Sequence, residues 1–271
     1  MNKYEIVDVD SSNEASYCLC FEDWSDEMKE AGEHKACWYS KMKDRGLGVK
    51  MVKDIDGELC GLVQYIPSEY APMTGDGYYF IYCIWIHGHK KGLGDRRGSG
   101  MGTALLDAAE ADIRSRGARG AAAWGVSLPF WMKASWYRKH GYKVVQKDGM
   151  RQLLWKSFED GGEVPQWTTL AQKPLSLAES GKVKVTSLRN GICPVTNLAY
   201  VRAAAVAAEF GDEVIFEEAE TTEPAELEKW GVSDALFINE VEIPLGPPLA
   251  KKKIRAVINK QLKRARKKYH R

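Results

Sequence analysis

The run Arg97-Gly98-Ser99-Gly100-Met101-Gly102 places three glycines and an arginine in six residues, directly ahead of a stretch with helical periodicity. That combination suits an anion. Glycines let the backbone approach phosphates closely. The N–H groups of Gly98 to Thr103 would then point at a diphosphate along the positive end of the helix dipole, with Arg97 and Arg96 adding charge. Taken alone, the run reads equally well as an ordinary loop before a helix. The nearby Lys91-Gly92-Leu93-Gly94 imitates it loosely, but Asp95-Arg96-Arg97-Gly98 follows without helical periodicity, so only the second run opens a helix. Cys18-x-Cys20 with His34 and Cys37 could ligate a metal. The first pair lies in an apolar helical run and the spacing fits no strong zinc pattern, so core thiols are expected and no metal.

The elements that must position this turn follow from hydrophobic period and turn residues. Tyr4 to Asp10 alternates as a strand, and Ser11, Ser12 and Asn13 offer caps for a helix from Glu14. A second helix is expected from about Asp26 to Asp44. Val49 to Asp54 and Glu58 to Pro67 read as a hairpin closed by Asp56-Gly57. After the loop Ser68 to Gly77, the nearly continuous aromatic and β-branched run Tyr78 to His87 predicts a strand buried on both faces. Gly102 to Arg116 predicts a helix with Leu105, Ala108, Ala109 and Ile113 on one face and Asp107, Glu110 and Arg114 on another. Gly120 to Val126 is a strand, Pro129 to His140 a helix, and Tyr142 to Lys147 with Met150 to Phe158 a hairpin turned at Asp148-Gly149. The order is β-αα-βββ-α-β-α-ββ.

With 44% hydrophobic and 28% charged residues, the 271-residue chain can build two modest cores. We divide it into a first domain at 1–158, a linker at 159–181 and a second domain at 182–271. No apolar run is long enough for a membrane-spanning helix, and the start lacks the apolar centre of a secretion signal, so a cytoplasmic protein with reduced cysteines is expected. Residues 251 to 271 carry eleven Lys or Arg and no acid, while the first 250 carry 28 basic against 37 acidic residues. The tail is expected to pack against the chain's own acidic stretch Glu209 to Glu228 or to be solvated, rather than to bind nucleic acid.

Element order and glycine turn together resemble the GNAT superfamily of N-acetyltransferases over residues 1 to about 158. That family's signature is Gln or Arg, two residues, Gly, one residue, then Gly or Ala, and Arg97, Gly100 and Gly102 fill it. Ala134-Ser135-Trp136-Tyr137-Arg138-Lys139-His140-Gly141-Tyr142 is similar to its helix and turn ending in Tyr, three residues, Gly, aromatic. The resemblance implies acetyl-CoA as co-substrate, bound by Ile84, Trp85, Ile86, Arg97, Gly98, Ser99, Gly100, Met101, Gly102, Thr103 and Tyr137. It also implies direct attack by a small-molecule amine, with splayed N–H groups of the Ile81–His87 strand on the acetyl carbonyl and Tyr137 as general acid. The alternative for Tyr137 is a core tyrosine under the sheet. A base is needed as well, and His87, His89, Glu69 and Asp76 lie near the expected cleft. The loop Gly88 to Arg96 is longer than the family's. Asp23, Trp24, Glu33, His34 and Trp38 are expected to flank the acceptor and to favour a cationic, partly apolar amine.

From Val183 the order strand, helix, strand, short helix, strand, helix suggests a thioredoxin-like unit. Cys193-Pro194-Val195-Thr196 stands where that family carries Cys-x-x-Cys. Thr196 leaves no second thiol in the motif, and the helix N-terminus is expected to lower the Cys193 pKa, so a monothiol role is conceivable. Such a piece after an acetyltransferase resembles a YoaP-type domain. Ile254, Val257, Ile258, Leu262 and Ala265 form a helical stripe that should dock the basic tail on it. The alternatives to acetyl transfer are acyl-CoA binding without turnover and redox chemistry through Cys193.

Overall fold

Each strand of the first sheet carries the alternation or the continuous apolar run that its depth requires. The computed structural model describes residues 4–22, 25–90, 93–128, 132–172, 174, 177 and 180–269. Seven strands, β1 (Tyr4–Asp8), β2 (Gly48–Asp54), β3 (Leu59–Pro67), β4 (Tyr78–Ile86), β5 (Gly120–Val126), β6 (Lys143–Asp148) and β7 (Arg151–Ser157), align in the order β1-β2-β3-β4-β5-β7-β6. Neighbours are antiparallel except β4 and β5, which are parallel. A parallel pair needs a crossover, and helix α1 (Met101–Ser115) supplies it. The α/β class and the element order agree with the sequence.

Helix α1 buries Leu105, Leu106, Ala109 and Ile113 against Val63, Tyr65, Ile81, Ala121 and Ala123. Its polar face departs from expectation at Glu110, which is buried and receives Lys156 Nζ at 2.6 Å. An ion pair makes that burial tolerable, and period alone does not show the partner. The expected helix from Pro129 is shorter. Pro129, Phe130 and Trp131 lie outside the described residues, Val126 N–H donates to the Met132 carbonyl at 2.7 Å, and helix α2 occupies Ala134–Lys139. Gly125 permits this crossing, because a Cβ there would stand 2.9 Å from the backbone of Ala134 and Met132.

The chain divides into two compact units, Met1–Tyr17 with Lys41–Thr168, and Cys18–Ser40 with Thr169–Arg271. Two departures from the sequence reading follow. Residues 18–40 group with the second unit, and the expected linker is not bare. Trp167 forms an antiparallel bridge with Met73 and packs on Phe80 at 5.7 Å within the first unit. Ala171 N–H donates to the Trp230 carbonyl within the second. One isolated bridge has no period to read.

The second sheet has the order β11-β10-β8-β9, built from β8 (Val183–Arg189), β9 (Val214–Glu220), β10 (Ala235–Ile238) and β11 (Val241–Ile243). The β8–β9 pair is parallel, and β10 is antiparallel to β8 and β11. The single strand expected over Ala235 to Ile243 is a hairpin, turned at Asn239, whose φ of +51° an asparagine tolerates. Helices α3 (Pro194–Ala208), α4 (Pro224–Trp230) and α5 (Lys251–Tyr269) follow the order read from sequence. Ile254, Ile258, Leu262 and Ala265 of α5 are buried. Arg255 and Arg266 pair with Glu209 and Glu213 of the acidic stretch. Among the described residues no helix is long and apolar enough to cross a membrane.

Candidate functional site

The glycine turn ends on Gly100, the N-cap of α1, with φ +86° and ψ −9°. Gly98 has φ +85°, and a Cβ on either glycine would meet nothing within 4 Å. Backbone conformation, not crowding, therefore demands glycine here, and the space above the turn is open to a ligand. The α1 ladder begins with Ala104 N–H donating to the Gly100 carbonyl at 3.1 Å, so the N–H groups of Met101, Gly102 and Thr103 precede it. Met101 anchors the turn from below. It is buried, with its sulfur 3.6 Å from Cys60 Sγ.

Both arginines beside the turn are engaged by carboxylates. Arg97 Nε and Nη2 donate to the two oxygens of Asp95 at 2.8 and 2.6 Å, which holds that carboxyl well below the usual range, and the guanidinium covers Gly88. Arg96 Nη1 lies 3.0 Å from the buried Asp54. The long loop folds back on β4, with Arg96 N–H donating to the His87 carbonyl at 2.9 Å and His87 Nδ1 2.7 Å from the Gly94 carbonyl. The imitating run's Lys91 and Gly92 lie outside the described residues.

Strand β4 leaves β5 partway. The pairs run from Tyr78 with Gly120 to Ile81 with Ala123 and then stop, although β4 continues to Ile86. On the other side, a register shift opposite Gln64 and Tyr65 inserts Tyr82 as an extra residue, the bulge that bends a strand away from its neighbour. Trp124 Nε1 reaches across the opening to the Tyr82 carbonyl at 2.7 Å. Ile84, Trp85 and Ile86 are the half-buried residues beyond the bulge, and Gly102 faces Ile86 and Trp136. Tyr137 is fully buried nearby. Its hydroxyl has no hydrogen-bond partner among the described residues, and burial, with Cys83 of β4 adding to it, keeps the phenol protonated far above its ordinary range.

Three residues at this end escaped the sequence reading. Trp136 contacts His140 with ring centroids 4.2 Å apart and planes tilted by 43°, His140 Nδ1 lies 2.9 Å from the Trp136 carbonyl, and its Nε2 lies 3.1 Å from Thr103 Oγ1. Assigning the ring proton to Nδ1 makes Thr103 the donor to Nε2. Trp136 and His140 flank Tyr137 in the motif already noted; Trp124 gave no signal within a run of small residues.

Glu33, His34 and Trp38 belong to the second unit, where His34 contacts Arg189 and Trp38 is buried; Asp23 and Trp24 lie outside the described residues. The helix bearing the three groups with residues 169–271, a long-range choice that sequence proximity does not record. Among the candidate bases, His87 is buried in a chain of ring contacts with Trp85 and His89, while Glu69 and Asp76 are exposed. In the second unit Cys193 caps α3, yet its thiol is pushed up, not down. Burial outweighs the N–H groups of Val195 and Thr196. Among the described residues no group of three or more His, Cys, Asp or Glu could hold a metal.

No protein-family model matches the sequence, and no curated protein does. Solved structures do. A GNAT family acetyltransferase from Brucella melitensis in complex with acetyl-CoA is 18% identical, with 60% of this chain and 92% of that one covered at a TM-score of 0.40. The PaiA N-acetyltransferase of Thermoplasma acidophilum in complex with coenzyme A is 15% identical, covering 58% and 100% at 0.40. Aminoglycoside 6'-acetyltransferase type Ii is 21% identical, covering 56% and 96%, also at 0.40.

Proposed function

We propose that the first unit transfers an acetyl group from acetyl-CoA to the amine of a small molecule. The observation that carries this reading is the parting of β4 from β5 at Ile81, with the glycine turn and the buried Tyr137 at the same end. The N–H groups from Gly98 to Thr103 cradle the diphosphate, and Arg97 exchanges Asp95 for a phosphate oxygen. The thioester lies along Ile84, Trp85 and Ile86, whose strand supplies N–H groups that β5 does not use.

The amine lone pair attacks the thioester carbonyl carbon, and the developing oxyanion accepts hydrogen bonds from that stretch of β4. Collapse breaks the carbon–sulfur bond. Tyr137 gives its proton to the departing thiolate, a role for which a phenol kept protonated by burial is suited; the nitrogen sheds its extra proton to solvent water, and the tyrosinate regains one from the same source. For the second unit we propose a thioredoxin-like fold of YoaP type. The parallel β8–β9 pair joined through α3, with the β10–β11 hairpin on the other side of β8, supports it.

Calorimetric titration with acetyl-CoA, followed by a thiol-release assay over a panel of amines, tests the reading. Saturable heat and amine-dependent release are expected. Heat without release would make this an acyl-CoA-binding protein, and absence of heat would overturn the site itself.

A further inference from the structure

The opening between β4 and β5 has a closed end, and an indole stands there. The last backbone pair is Ile81 with Ala123. The next residues of the two strands, Tyr82 and Trp124, meet through a side chain instead, with Trp124 Nε1 donating to the Tyr82 carbonyl at 2.7 Å. Where a continued ladder would bring two backbones together, this chain lays a large ring across the gap.

The ring is fixed from both strands. Trp124 stays in register with Leu153 of β7, and that pairing continues to Val126 with Arg151. Gly125, the next residue, crosses the backbone of Ala134 and Met132 too closely for a Cβ, so β5 resists any shift that would carry the indole aside. On the β4 side, the Tyr82 hydroxyl donates to the Tyr70 carbonyl at 3.2 Å, and its ring meets Phe80 edge-on at 4.8 Å between centroids. Trp124, Ile84, Ile86 and Trp136 are half-buried and pack on the one core cluster that contains Tyr137. An apolar lining by itself favours longer acyl chains, because each methylene withdrawn from water is a gain. A preference for a short chain therefore needs a steric stop.

We propose that Trp124 is that stop, closing the acyl subsite and restricting the first unit to thioesters of acetyl size. The proposal rests on the acyl-CoA reading given above. A cofactor arm that enters from the glycine turn beyond Ile86 and lies along β4 runs toward the closed end, so the acyl group leads. From Ile84 to Tyr82 the strand advances two residues, about 7 Å at about 3.3 Å each. With van der Waals contact to the indole taking about 4 Å of this, about 3 Å remains, which holds the methyl of an acetyl group and excludes the tail of a hexanoyl group. Trp124 thus meets the acyl tail and selects its length, while the carbonyl reacts farther out.

Calorimetric titration of the full chain with coenzyme A, acetyl-CoA and hexanoyl-CoA tests this. The wild-type protein is expected to bind acetyl-CoA at least about tenfold more tightly than hexanoyl-CoA, the scale on which a filled apolar pocket rejects added methylenes. Equal affinities would overturn the proposal and leave the acyl-CoA site standing; absence of heat with all three would overturn that site and the proposal with it. Trp124→Ala should shift the ratio of the two thioester affinities about tenfold toward hexanoyl-CoA. Trp124→Phe, which keeps a smaller ring in the cluster and loses the N–H, should shift it the same way by a smaller factor. A merely structural tryptophan would weaken both thioesters alike, so an unchanged ratio in either variant that still binds acetyl-CoA would overturn the role of Trp124.

Discussion

Tyr137 combines two properties that a purely structural tyrosine does not need together: complete burial and a hydroxyl without a partner among the described residues. An unsatisfied buried hydroxyl costs roughly 1–3 kcal/mol, so Tyr137→Phe should leave the melting temperature unchanged or raise it. The same change should lower kcat about 100-fold or more, the usual scale of a lost general acid, with the acetyl-CoA Kd within about twofold of wild type. Paired melting and steady-state measurements check this; an undiminished kcat would return Tyr137 to the core. Gly100 offers the complementary case. Alanine there meets no atom, but it disfavours φ +86° by roughly 1–2 kcal/mol. Relaxation to negative φ would turn the Met101–Thr103 N–H groups away, so Gly100→Ala should weaken acetyl-CoA binding about tenfold by calorimetry.

At the scale of elements, the site depends on how the chain returns from β5 to α2. The close crossing at Gly125 sets where Trp136 and Tyr137 stand, and its contacts are backbone atoms that cannot rotate away. Gly125→Ala should therefore cost about 1–3 kcal/mol of stability, as overpacking does, and lower kcat through displacement of α2. Chemical denaturation with kinetics on the same variant measures both; full activity would show that the crossing does not position the tyrosine. The bulge at Tyr82 and the Trp124 bridge act on the opposite wall, opening β4 while limiting how far it parts from β5.

Whole-molecule behaviour is set by burial more than by the many surface charges. Arg255 and Arg266 pair with Glu209 and Glu213 at exposed positions, where each pair is worth about 0–1 kcal/mol. Buried Ile258 should dominate instead, with Ile258→Ala costing about 2–5 kcal/mol. Calorimetry of Ile258→Ala against Arg255→Ala would rank the two effects. The pH dependence of stability has a source in Asp234, whose carboxyl burial pushes from its ordinary 3.8 to about 6, despite hydrogen bonds from Asn190 and Tyr200. The folded state therefore holds that proton more tightly than the unfolded chain. The resulting contribution is fully present below about pH 4 and is lost as pH rises through 6. Relative to Asp234→Asn, the wild-type protein should lose stability between those values; parallel stability curves for the two would contradict this.

Local chemistry was legible in the sequence because it is written in neighbouring residues. Hydrophobic period and turn residues determined the order of the elements. The glycine run just ahead of a helical period marked Gly98 and Gly100, and the Ala134–Tyr142 motif marked Tyr137. Contacts between distant segments were not legible, since no periodicity records them. Tertiary structure alone decided that Glu33, His34 and Trp38 pack with residues 169–271, that Asp95 holds Arg97, and that the 159–181 stretch is pinned at Trp167 and Ala171. It also decided the state of Cys193. A helix N-terminus predicts an activated thiol, but the desolvation that reverses this comes from residues brought close only by folding.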